Sequence, residues 1–175
     1  MLNIAEVRGK FILEIDKLLS EFNPEVAEEA RKEMDVPVTE MTEDEWYNYN
    51  NLTNYIEKVS PEARRVLGKK VIRAASEKFD GLADMFEKPV DLLKFAVEKE
   101  TTDDFRKENH FKQELLDFGD DFIKTRLDTL GMPTYYEGIY QGILELFRII
   151  KTNVTTIIEE EDDERQICTM EIKWQ

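Results

Sequence analysis

Arg165-Gln166-Ile167-Cys168-Thr169-Met170-Glu171-Ile172-Lys173-Trp174 is the stretch on which the fold class turns. Cys168, Met170, Ile172 and Trp174 alternate with Thr169, Glu171 and Lys173. That period of two places the apolar set on one face of a strand. Immediately upstream, Asn153 to Glu159 is β-branched and predicts the strand that pairs with it, with Glu160–Glu164 as the turn. A strand with one apolar face belongs to a sheet packed on helices.

Further back, Gly131-Met132-Pro133 precedes a run rich in Tyr, Ile, Leu and Phe that predicts a helix over 134–150. Gly138 and Gly142 stand four apart there and face the same way. The expectation is that this face lies against the sheet, with Ile139, Ile143, Leu144 and Phe147 filling the flanks. Before the helix, residues 104–118 admit two readings. Phe111, Leu115, Phe118 and Phe122 fit a helical step, yet Gly119-Asp120-Asp121 is a turn signal. Glycine in mid-helix costs about 1 kcal/mol, so the preferred reading is a hairpin, 108–116 pairing with 122–128.

The amino-terminal part reads as helices. Ile4, Val7, Phe11, Ile15, Leu18 and Phe22 recur at steps of three and four, and Asn3 with Glu6 offers a capping box. Asn23-Pro24 stops that helix and starts a second. Residues 35–41 read as a loop. Thr42 with Glu45 predicts a third helix carrying Trp46, Tyr49, Leu52, Tyr55 and Ile56. Ser60-Pro61-Glu62 caps a fourth, with Val66, Leu67, Val71, Ile72, Ala75 and Phe79 inward and Gly81 at its end. Short helices are expected over 82–87 and 89–99. The whole is α+β: an amino-terminal helical half followed by a hairpin–helix–hairpin antiparallel sheet, one domain over residues 1–175.

Composition narrows the function classes. A formal net charge of −15 repels phosphate backbones and anionic lipid, so neither nucleic acid nor a membrane surface is expected as a partner. The chain has no apolar run of membrane-spanning length and no amino-terminal leader pattern, which points to the cytoplasm. One histidine and one cysteine cannot make the usual zinc sets. The run Glu159–Glu164 lacks the glycine and spaced ligands of a calcium loop and reads as a solvated turn. Cys168, mid-strand among apolar neighbours, reads as an inert buried thiol. His110 reads as a surface imidazole, with a ligand or base role as the alternative. No nucleophile elbow or phosphate loop is present. Asn51-Leu52-Thr53 and Asn153-Val154-Thr155 match the glycosylation sequon, which without a secretory route is a chance match.

From Pro89 onward the chain resembles the carboxy-terminal half of haem–nitric-oxide-binding domains and their haem-free relatives. The latter include the vinyl-reductase-like ligand-binding domains and the transport-particle subunits of Golgi traffic. The features that carry the resemblance are the strand Phe122 to Arg126, the helix bearing Glu137-Gly138 and Gly142, and the ending Cys168 to Trp174. The amino-terminal helices agree in number and order only. Haem-binding members carry Tyr-x-Ser-x-Arg against the propionates, and here Phe122, Lys124 and Arg126 stand at those positions. The axial histidine of the family falls near Leu93, and His110 falls in the hairpin. The resemblance therefore implies a pocket between helices and sheet, without haem or any other cofactor.

The first expectation is a non-enzymatic, haem-independent sensor or regulatory domain for a small apolar or acidic ligand, with Trp46, Leu93, Phe122 and Arg126 as ligand-binding residues. Arg126 is the candidate anchor for an acidic group, against a plain surface cation on a strand, and Trp46 either lines the pocket or packs in the core. The alternative is an interaction scaffold that takes no ligand, a homodimer like the transport-particle subunits or a binder of a basic protein. A gas sensor or an enzyme ranks third.

Overall fold

The computed structural model describes residues 6–78, 83–97, 106–107, 113–129, 131–161 and 166–175. Asn3, Ile4, Phe79, Gly81, His110, Phe111 and Arg165, all named above, lie outside them. Four-stranded antiparallel pairing organises the carboxy-terminal half. Strands β4 (Glu114–Phe118), β5 (Phe122–Asp128), β6 (Thr152–Glu161) and β7 (Gln166–Trp174) lie in the order β4-β5-β7-β6. The second expected hairpin is present; of the first, Glu114–Phe118 pairs with β5 and runs on to the turn at Gly119, while residues 108–112 of the expected strand lie outside the described ones. Cys168, Met170, Ile172 and Trp174 are all buried on the face toward the helices.

The second hairpin is longer than the sequence suggests. Glu160 and Glu161 belong to β6 rather than to the turn, because neighbouring groups engage their charges: Arg126 reaches Glu160 at 3.5 Å and Gln166 donates to Glu161 at 2.8 Å.

Helices α1 (Gly9–Phe22), α2 (Pro24–Arg31), α3 (Asn50–Glu57), α4 (Pro61–Lys78) and α5 (Pro89–Val97) precede α6 (Pro133–Leu146), which joins the two hairpins. Local capping accounts for several starts. Asn23 Oδ1 accepts from the Val26 amide and Pro24 sits in the first turn of α2. Ser60 Oγ accepts from the Ala63 amide at the head of α4. Helix α6 ends before residue 150 because Arg148 takes a left-handed backbone, φ 62°, and reverses the chain. Residues 83–85 form only one short 3-10 turn.

Two helix starts are corrected, for one reason. Glu6–Arg8 is a strand, β1, and α1 begins at Gly9. Trp46–Asn48 is also a strand, β2, so α3 begins at Asn50. Together with β3 (Arg106–Lys107) they form a second sheet in the order β2-β1-β3. Thr42 and Glu45 do not cap a helix. The Thr42 amide donates to the Tyr47 hydroxyl, which itself donates to Glu45 at 2.9 Å. Gly9 permits this turn, because a β-carbon there would strike the Thr42 carbonyl.

The inward face of α1 is accordingly Ile12, Ile15, Asp16 and Leu19, and Phe22 is exposed. Buried Asp16 is held by a bidentate Arg31 (2.7 and 2.9 Å) and by the Tyr55 hydroxyl, tying α1 to α2 and α3. Val66, expected inward on α4, is half exposed.

Candidate functional site

The glycine face of α6 meets α4, not the sheet. A β-carbon on Gly138 would collide with the Arg65 carbonyl, and one on Gly68 would lie 2.8 Å from the Ile139 amide and overlap the Tyr135 carbonyl. One on Gly142 would lie 3.0 Å from both Ile72 Cβ and Lys69 Cα. The two helices are thus in backbone contact, and the opposite side of α6 is left for the sheet. Periodicity placed both glycines on one face correctly, but could not say which neighbour covers it.

From that contact a set of polar ties spreads across the junction of helices and sheet. Arg65 reaches buried Glu137 at 2.5 Å, and Glu137 also accepts from Thr156 on β6 at 2.8 Å. Lys69 pairs with Glu145 at 2.7 Å. The hydroxyls of Tyr49 and Tyr136 meet at 3.3 Å, joining the start of α3 to α6. The Tyr140 hydroxyl lies 3.2 Å from Thr125 Oγ1 on β5 and accepts from Gln113. Burial raises the Tyr140 phenol well above its ordinary range, so it stays a neutral hydrogen-bonding group. None of these residues was singled out as functional in the sequence; Glu137 was quoted only within the helix that carries the resemblance, and the tyrosines only as part of helical patterns.

The four residues expected to bind a ligand do not converge. Trp46 sits on β2 in the second sheet, half buried, with the Arg8 guanidinium 4.3 Å above its ring. Leu93 is wholly buried on α5, which packs against α6, β4 and β5. Phe122 and Arg126 alternate with Ile123, Thr125 and Leu127, and so lie on the face of β5 turned away from α6. Arg126 is clamped by carboxylates there: Glu159 at 2.6 Å, Glu160 at 3.5 Å and Glu114 at 3.8 Å. The Thr169 hydroxyl and Arg126 together hold the Glu159 carboxyl below its usual range.

Among the described residues, those at the positions that the resemblance assigns to haem do not supply its donors. At the position assigned to the axial ligand Leu93 offers only hydrocarbon, and Arg126, which alone matches the propionate-binding pattern, already serves three acids. Among the described residues no group of three or more His, Cys, Asp or Glu is placed to hold a metal ion. Nor is any described helix long and apolar enough to cross a membrane. Asn51 of the first sequon is buried and hydrogen-bonded to Asp35, which no glycan could reach past.

Cys168 is fully buried on β7, 3.5 Å from Thr129 Oγ1. Burial first, then the charges of Asp128, Glu159 and Glu161, push its thiol up. It should resist a water-soluble thiol reagent in the native protein and react fully in denaturant. Rapid labelling of the native protein would show that β7 opens.

Family models and curated proteins give no match to the sequence. Solved structures do. A point mutant of the Fe(II) unliganded H-NOX protein from K. algicida superimposes with a TM-score of 0.73 at 13% identity, covering 96% of each chain. A structure bearing on H-NOX activation gives 0.71 at 19% identity, again over 96% of each. A point mutant of T. Tengcongensis H-NOX gives 0.69 at 18%, over 96% of this chain and 97% of that one. At these identities the likeness concerns backbone alone, and over nearly the whole length it is close. The chain has the H-NOX fold.

Proposed function

We propose that this chain is a non-enzymatic sensor or regulatory domain that takes a small apolar ligand, without haem, between its helical half and its sheet. The observation that carries this reading is Leu93, a fully buried alkyl side chain at the place where the resemblance calls for an iron ligand. The H-NOX fold supports a ligand-binding role, and the buried phenols Tyr135, Tyr136 and Tyr140 supply the few polar anchors such a site uses. Arg126 would engage an acidic ligand only by exchanging it for Glu159. Trp46 and Phe122 are assigned to the walls of the two sheets rather than to the ligand.

The purified protein is expected to be colourless and to show no Soret band on haem addition. Stoichiometric haem uptake by the unaltered chain, with a shifted Soret peak, would sink the reading. Native mass spectrometry should further find a small retained mass.

A second reading, an interaction scaffold, is favoured by one observation. Ile157 and Ile158 are half exposed at the border of the larger sheet.

A further inference from the structure

The larger sheet has two edges, and they are built differently. Strand β4 is short, carries Glu114 and Asp117, and is kinked by a register shift between Leu115 and Asp117. Charge, brevity and bulges are how sheet edges are kept from pairing with other chains. Strand β6 has none of these over most of its length. Residues 152–158 read Thr152-Asn153-Val154-Thr155-Thr156-Ile157-Ile158, without a charge, proline or glycine. The register shift comes only afterwards, between Ile158 and Glu160. Among the described residues no strand lies on the side of β6 away from β7.

What flanks this segment says what would cover it. At one end is Lys151, exposed and without a carboxylate partner among the described residues. At the other is Glu159–Glu161. An antiparallel pairing of β6 with a second β6 brings each lysine to the acidic end of the other strand. Centred on Thr156, it also sets Val154 opposite Ile158, Thr155 opposite Ile157 and Thr156 opposite its own copy. Opposed residues keep to the same face of the sheet, as the pleat requires. Ile157 and Ile158, exposed on opposite faces in the single chain, are then covered by the partner. The partner is complementary because it is the same sequence run backwards.

We propose that β6 is a self-association edge, through which two copies of this chain join their four-stranded sheets across a two-fold axis near Thr156. The proposal does not depend on any ligand.

Sedimentation of the full chain between about 1 and 100 µM, a range that brackets typical weak self-association, should show a monomer–dimer equilibrium. Ile158→Lys, a charge on the edge, should weaken it by about tenfold or more, with the circular dichroism spectrum unchanged. Lys151→Glu, on an exposed side chain, should weaken it also, and Lys151→Glu with Glu161→Lys should restore it. Should Ile158→Lys misfold, the two charge variants decide. A monomer at every concentration overturns the proposal. So does a dimer indifferent to folded Ile158→Lys, or one whose affinity ignores both Lys151→Glu and the reversed pair.

Discussion

Gly138→Ala is expected to lower the unfolding free energy by about 3 kcal/mol or more, beyond the usual range for overpacking. The added methyl has no room, because the atom in its way is the Arg65 carbonyl oxygen of α4, which belongs to a backbone and cannot rotate aside. Helices α4 and α6 would have to separate, weakening the Arg65–Glu137 and Lys69–Glu145 pairs that flank the contact. On an exposed helix the same substitution would stabilise by about 1 kcal/mol, since alanine is the better helix former. The two possibilities differ in sign. A urea midpoint at or above that of the unaltered protein would refute the close approach of the helices. Gly142→Leu should also destabilise, by about 1–3 kcal/mol, because Ile72 Cβ and Lys69 Cα already stand at 3.0 Å from where its β-carbon would be.

Removing residues 165–175 should abolish cooperative unfolding altogether. Strand β7 is interior: it pairs with β5 along Ile167–Lys173 and with β6 along Gln166–Trp174. Without it β5 and β6 have no common neighbour, and Ile123, Leu127 and Val154 lose the strand that joins them into one apolar face. Such a loss is far larger than any single side-chain deletion, because it exposes a whole central strand's worth of core and its backbone hydrogen-bond partners. A thermal scan of the truncated chain by circular dichroism should show no sigmoidal transition. A midpoint equal to that of the full chain would mean that the strand is peripheral.

What could be read from the sequence follows from how far each signal reaches. Strand β7 announced itself through seven alternating residues, and the helix starts at Asn23 and Ser60 through a cap and a proline within three positions. The three short strands were invisible. Two or three residues cannot establish a period, and β1 exists because Val7 meets Tyr47 and Arg106, residues that lie far away along the chain. Thr42 and Glu45 had the spacing of a capping box, but the Tyr47 hydroxyl claimed both. The clamp on Arg126 was hidden for the same reason: Glu114, Glu159 and Glu160 reach it only through sheet register. Leu93 drew its reading from the resemblance alone, as an apolar residue where a histidine is asked for, and its burial on α5 is what the structure adds.

The pairing of Glu6 with Lys107 sets the order in which the molecule can be assembled. Strand β1 is made first, yet its second neighbour leaves the ribosome only after every one of the first five helices. Helix α4 likewise waits for α6 before its glycine contact exists. Contacts of such wide sequence separation must overcome the closure entropy of long loops, which slows folding relative to a helical bundle of local contacts. The helical half is therefore an unfinished object for most of its synthesis. A nascent chain halted before residue 106 should remain open to proteolysis, although α2 and α4 already carry their own caps by then.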